Sequence, residues 1–154
     1  MSSFNNEVRV YKVHQNAKLP ARAHDTDAGM DFFYCPEKPI QLGIEPGESV
    51  LLPTGIKMQV PPDHMLQIMN KSGIASKRSL ITGACVVDEG YTGEIFVNLH
   101  NIGTKTNFVE SGEKVAQGVF VKISKPSLVE VFEDSIYDSE TKRGSGALGS
   151  TGDK

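Results

Sequence analysis

Four stretches gather acids, cations, hydroxyls and glycines where a plain β core has no need of them. They are Asp27-Ala28-Gly29-Met30-Asp31, Asn70-Lys71-Ser72-Gly73-Ile74-Ala75, Asp88-Glu89-Gly90-Tyr91-Thr92-Gly93-Glu94, and the run from Arg143 to Gly152. A few local cations could hold a small anion, which a formal net charge of −3 over 154 residues permits. The same acidic balance argues against a general nucleic-acid coat, because phosphate backbones demand a basic surface. Each stretch also has a plain structural use. The first could be a turn before a strand, and the third a hairpin turn, where Asp and Gly are common. The second could cap a short helix, and the last could be a solvated linker.

Other patterns fail on context. Gly144-Ser145-Gly146-Ala147-Leu148-Gly149 satisfies the dinucleotide-binding spacing GxGxxG but leaves no room before Lys154 for the helix and second strand such a site needs. His14, His24, His64 and His100 form no i, i+4 pair, so surface or core histidines are expected rather than metal ligands. No nucleophile elbow and no His-Glu-x-x-His is present. Asn70-Lys71-Ser72 fits a glycosylation acceptor, but the opening MSSFNNEVRV has no apolar signal stretch and no export is expected. Cys35 and Cys85 stand far apart without metal spacing and read as reduced thiols in the cytoplasm. No apolar run approaches the roughly 18 residues of a membrane helix, so no membrane partner is expected.

The elements that must position these residues are short. The sequence carries 15 Gly and 8 Pro, spread throughout, and 38% hydrophobic residues, enough for one core. Strands are expected at Val8–Val13, Ser49–Leu52, Ile56–Val60, Met65–Met69, Ile81–Val87, Glu94–Leu99, Val115–Ile123 and Leu128–Phe132. Ile95, Val97 and Leu99 alternate with Phe96, Asn98 and His100, the period of a strand with two unlike faces. The one helical piece expected is Gly73–Arg78. Many short strands with almost no helix give an all-β sandwich, jelly roll or barrel. From Glu133 the composition turns polar and glycine-rich and cannot offset its ordering entropy, so a mobile tail is expected. The expected organisation is a β domain over 1–132 and a C-terminal arm over 133–154.

Taken together and in order, with Gly112-Glu113-Lys114-Val115-Ala116-Gln117, the four stretches resemble the five motifs of the trimeric dUTPase family (dUTP diphosphatases). The likeness runs from about Lys12 to Gly152. It implies a jelly-roll-like β fold with a flexible glycine-rich tail, and hydrolysis of dUTP to dUMP and diphosphate by water attacking the α-phosphorus. That activity limits uracil incorporation into DNA and supplies dUMP for thymidylate synthesis. It also implies Mg2+ and a homotrimer whose sites are shared: Asp88 and Tyr91 from one subunit, Lys71, Ser72 and Gln117 from another, and the tail from the third. A cytoplasmic setting follows, of the host if the chain is viral.

Residue by residue, Asp88 matches the family's water-activating carboxylate, which can orient water and accept its proton. Glu89, adjacent, would point the other way. Tyr91 matches the ring that packs under deoxyribose, where burying an unpaired 2′-hydroxyl would cost on the order of 1–3 kcal/mol. Thr82-Gly83-Ala84-Cys85-Val86-Val87 would form the base-holding hairpin, its main-chain groups meeting O4, N3–H and O2 of uracil. Lys71, Ser72 and Gly73 would meet the α- and β-phosphates, with Gln117 a further phosphate or water ligand. Asp31 would orient waters on a magnesium ion carried by the triphosphate, with no direct protein ligand. Arg143 would grip the γ-phosphate, with Gly149, Ser150 and Thr151 around it and Leu148 over the base. The family usually has Asn where Thr82 stands, Gly at Cys85 and Ala147, Arg at Lys71 and Phe at Leu148. Two rivals are a dCTP deaminase-like enzyme, which would release ammonia, and a nucleotide-sensing module with weak catalysis.

Overall fold

The computed structural model describes residues 7–147. They divide into two compact units, one running to Ser124 and the other starting at Lys125. The first holds the β domain: β1 (Val10–Lys12), β2 (Met30–Phe33), β3 (Gln41–Ile44), β4 (Ser49–Pro53), β5 (Ile56–Met58), β6 (His64–Met69), α1 (Ser72–Arg78), β7 (Leu80–Thr82), β8 (Val86–Val87), β9 (Phe96–Asn101), β10 (Asn107–Glu110) and β11 (Lys114–Lys122). A four-stranded sheet runs in the order β2-β11-β6-β8 and a three-stranded one in the order β4-β9-β7; β1 pairs with β5 and β10 with β3. Among the described residues these strand pairings are all antiparallel, as expected of an all-β fold built from short connections.

One core serves all four sheets. Phe32, Leu66 and Ile68 come from the first sheet, Leu52, Leu80, Val97 and Leu99 from the second, and Ile44, Ile56 and Val109 from the two ribbons. Ile95, Val97 and Leu99 are at most 1% exposed, so the alternation in the sequence marks the buried face correctly. The helix is short because it has little to bury. It has no fully buried residue, and it ends at Ser79, whose left-handed φ of 53° lets its N–H close on Ala75 O.

Three differences from the expected elements matter. Ile81–Val87 is not one strand: β7 pairs with β9 and β8 with β6, so Gly83–Cys85 crosses from one sheet to the other. Strands β3 and β10 were not expected, and β2 only as the strand that a turn at Asp27–Asp31 would precede. The third difference is in the second unit, where Leu128–Phe132 forms no strand. A strand needs a partner edge, and Leu128, Val129 and Phe132 are instead 96%, 78% and 86% exposed. That unit also carries a 3₁₀ turn at Glu133–Ser135, and Arg143 closes a local turn by donating from Nε to Gly146 O at 3.1 Å. Among the described residues no helix is long and apolar enough to cross a membrane.

Candidate functional site

The first cluster is built on β11. In the sheet Gln117 stands opposite Asp31 of β2 on one side and Met69 of β6 on the other, so three of the five motifs meet at one end of that sheet. Lys71 stands two residues beyond the end of β6. The β2–β11 register shifts between Lys114 and Ala116, and this bulge places Lys114, rather than the buried Val115, opposite Phe33. Phe33 and Asp31 are two residues apart and share a face, so the extra residue turns Lys114 toward Asp31.

The result is one carboxylate between two ammonium groups. Lys71 Nζ lies 2.7 Å from Asp31 Oδ1 and Lys114 Nζ lies 2.7 Å from Oδ2. Burial by itself would push the Asp31 carboxyl up, but hydrogen bonds and charge from Lys114 and Lys71 outweigh it and hold the group below its ordinary value. Gln117 donates from Nε2 to Asn70 O at 2.9 Å, and its amide lies against Gly29, where a Cβ would stand 2.3 Å from Oε1. A side chain at Gly29 would have to displace the Gln117 amide.

Asn70 joins this cluster to the crossing segment. Its Oδ1 accepts from Thr82 N at 2.7 Å and from Thr82 Oγ1 at 3.2 Å. The Thr82 hydroxyl hydrogen is thus spent on the protein. Beyond it, Ala84, Cys85, Val86, Val87, Asp88 and Tyr91 line a cavity of about 260 Å³, together with Leu51, Phe96 and Asn98. Asp88 is exposed on its rim. The turn that carries Asp88 closes through Tyr91 N to Asp88 O at 3.1 Å, and Tyr91 OH donates to Glu94 O at 2.7 Å. Glu94 is fixed in turn by accepting from Gly55 N at 2.7 Å. Tyr91 OH also fills the place a side chain at Gly93 would take, 2.5 Å from its Cβ. The ring is pinned at its far end and 45% of the residue remains exposed. Glu89 does point elsewhere, accepting from Asp63 N at 2.9 Å.

Of the sequence-predicted residues, the structure therefore gathers Asp31, Lys71 and Gln117 in one cluster and Val86, Val87, Asp88 and Tyr91 around the cavity. Ser72 and Gly73 are exposed on the first turn of α1, and Ser72 O accepts from Ser76 Oγ at 2.6 Å. Lys71, Ser72, Gly73 and Gln117 do not line the cavity. Leu148, Gly149, Ser150 and Thr151 lie outside the described residues. A larger cavity of about 790 Å³, bordered by Val10, Met30, Met58 and Phe120, contains none of the predicted residues. Sequence reasoning placed Lys114, Asn70 and Glu94 within motif stretches but gave them no role, since that depends on the bulge and on cross-strand register, and it missed Asn98 altogether.

For a divalent cation, no three His, Cys, Asp or Glu side chains cluster among the described residues. Each Asp31 oxygen already meets an ammonium and keeps a lone pair over. That spare lone pair fits an acceptor for a metal-bound water.

Comparison with known proteins gives a consistent family. The dUTPase family model matches residues 15–152. The deoxyuridine 5'-triphosphate nucleotidohydrolase of Alkaliphilus metalliredigens is 42% identical over 149 residues, 96% of this chain and 98% of that protein. A mutant dUTPase of Staphylococcus bacteriophage 80alpha, solved with dUpNHpp, superposes with a TM-score of 0.85 at 27% identity, covering 96% of this chain and 99% of that one. A mutant dUTPase from phage phi11 of S. aureus, solved to detail the coordination of a structural Mg(II) ion, has a TM-score of 0.75 at 27% identity, covering 83% and 98%.

Proposed function

The chain belongs to the dUTPase family and is a dUTP diphosphatase, and on that premise we propose how its own residues carry out the hydrolysis of dUTP to dUMP and diphosphate. The observation that carries the proposal is Asp88 on the rim of a cavity whose walls are main chain and a pinned aromatic ring.

Uracil enters between the Gly83–Val87 segment and Tyr91. Main-chain N–H and C=O groups are fixed donors and acceptors, suited to the O4, N3–H and O2 pattern and ill matched to cytosine. Val86 and Val87 supply apolar contact. The Tyr91 face lies under the sugar, where a methylene packs and a hydroxyl would lose water without gaining a partner. Asp88 orients the attacking water and takes its proton as the oxygen bonds to the α-phosphorus, and diphosphate leaves. The Thr82 hydroxyl hydrogen is committed to Asn70, so toward the base that oxygen can act only as an acceptor.

Lys71 and Ser72 receive the phosphates, with Gln117 beside them. When Lys71 turns to phosphate, Lys114 remains on Asp31, so the buried carboxylate keeps a counter-charge. When bound, Mg2+ would supply positive charge to offset that of the phosphates. Asp31 would accept from its hydration shell.

The working form is a homotrimer with shared sites. Two features support this: the phosphate-side residues lie off the cavity that holds Asp88, and Leu128, Val129 and Phe132 expose apolar surface that a second copy would cover. Arg143, with Leu148, Gly149, Ser150 and Thr151, then closes over the nucleotide from the third subunit. A cytoplasmic setting, with Cys35 and Cys85 free, belongs to the same reading.

The test is diphosphate release from dUTP, dCTP, dTTP and UTP, with and without Mg2+. Release confined to dUTP and lost in Asp88→Asn, with dUTP still bound, supports the assignment. Ammonia from dCTP, or full turnover by Asp88→Asn, overturns it.

A further inference from the structure

Asn98 holds the cavity's hairpin from behind and belongs to none of the five motifs. It sits half-buried in the middle of β9 with its amide fully engaged. Oδ1 accepts from Ala84 N at 3.1 Å and faces His100 Nε2 at 3.1 Å. Nδ2 donates to Ser49 Oγ at 2.9 Å and to Val50 O at 3.1 Å. The chemistry fixes this orientation: a peptide N–H at Ala84 needs the oxygen, and a carbonyl at Val50 needs the nitrogen. His100 Nε2, facing that oxygen, therefore carries its hydrogen. The hairpin rests directly on this pair, for a Cβ at Gly83 would stand 2.2 Å from both Asn98 Oδ1 and His100 Nε2.

The crossing segment is pinned at three consecutive residues. Gly83 N donates to Asn98 O at 3.0 Å, Ala84 N to Asn98 Oδ1, and Cys85 O accepts from Ile68 N at 2.7 Å. The outer two pins are main chain to main chain. The middle one is a side chain, and it reaches past the last β7–β9 pair, Thr82↔Leu99, where the ladder stops.

We propose that Asn98 is a positioning residue for base selection: it sets the main-chain groups of the hairpin where they accept uracil and refuse cytosine. This rests on the proposed reading of the cavity as the uracil pocket. Although Asn98 lines that cavity, its donors and acceptors are all spent on protein, so it acts through Ala84 and not on the base itself. Discrimination needs that placement, because cytosine presents a donor where uracil presents O4 and an acceptor where uracil presents N3–H. Hydrogen bonds weaken steeply with angle and distance, so a hairpin free to shift could relieve the mismatch.

The test compares Asn98→Leu with Asn98→Asp in the full chain. It reads diphosphate release from dUTP and dCTP and hydrogen exchange at the Ala84 amide. Asn98→Leu should raise the dUTP KM about tenfold, keep kcat within about threefold, and lower the dUTP-to-dCTP ratio of kcat/KM about tenfold, with faster Ala84 exchange. Asn98→Asp keeps the acceptor for Ala84 but sets an oxygen against Val50 O, so it should cost stability while the dUTP-to-dCTP ratio and Ala84 exchange stay within about threefold. If Asn98→Leu does not fold, Asn98→Ser, too short to reach Ala84, takes its place. Unchanged selectivity and KM in the Leu or Ser variant, loss of kcat alone with Ala84 exchange unaltered, or equal loss of selectivity from Asn98→Asp each overturns the proposal. Absence of diphosphate release from the unaltered chain would instead defeat the reading of the site. The exchange comparison would still decide whether Asn98 tethers Ala84.

Discussion

The two ends of the site are held by opposite means. At the Asp31 end, one carboxylate binds two lysines, and the contacts are between full charges. At the hairpin end, the contacts that fix Gly83, Ala84, Cys85 and Tyr91 are neutral and mostly main chain. The difference follows from what each end would handle. An ammonium can leave one carboxylate oxygen for a phosphate because both are anions and the other lysine stays behind. A base is told from its analogue by donors and acceptors that do not move. Exchangeable charge suits the first task and fixed geometry the second.

Breaking the chemistry without touching either end gives the largest effect. Asp88→Asn should lower turnover by about 10² to 10⁴-fold, the range of general base catalysis, with dUTP affinity changed little; single-turnover diphosphate release and equilibrium binding check it. Lys71→Met attacks the charged end alone. It should raise the dUTP KM by about 10- to 100-fold, as expected for a hydrogen bond to a charged group, while the dUTP-to-dCTP preference holds. Lost preference in that variant would mean the two ends are not separable.

Asp31→Asn tests the charged end through stability. The folded carboxyl lies below its unfolded value, so its contribution is present above about pH 4 and is lost as pH falls through the lower folded value. The Asn variant should unfold more easily by about 1–3 kcal/mol near neutrality, and the gap should close in acid; denaturant melts across pH 2–7 measure it. Tyr91→Phe gives the smallest effect. It removes only the bond to Glu94 O, and about 1 kcal/mol, or up to tenfold in KM, is expected from kinetics with dUTP.

Much of this was legible in the sequence. The alternation at Ile95, Val97 and Leu99 identified a buried face, and the motif order pointed to the family before any coordinates did. Strands β3 and β10 were missed because they are four residues each and take their pairing from distant partners, Asn107–Glu110 against Gln41–Ile44. The segment Ile81–Val87 reads as one β-rich run, and only the packing under Gly83 shows why it changes sheets. Leu128–Phe132 has the composition of a strand without an edge to join. The site roles that could not be read, those of Lys114 and Asn98, depend on a bulge and on a register between strands far apart in sequence.

The most direct test of the central claim is a crystal structure with dUpNHpp and Mg2+. The account predicts uracil against Gly83–Val87, the sugar on the Tyr91 ring, and a water between the Asp88 carboxylate and the α-phosphorus, within hydrogen-bond reach of the carboxylate. A nucleotide seated elsewhere, or Asp88 turned away from that water, would contradict it.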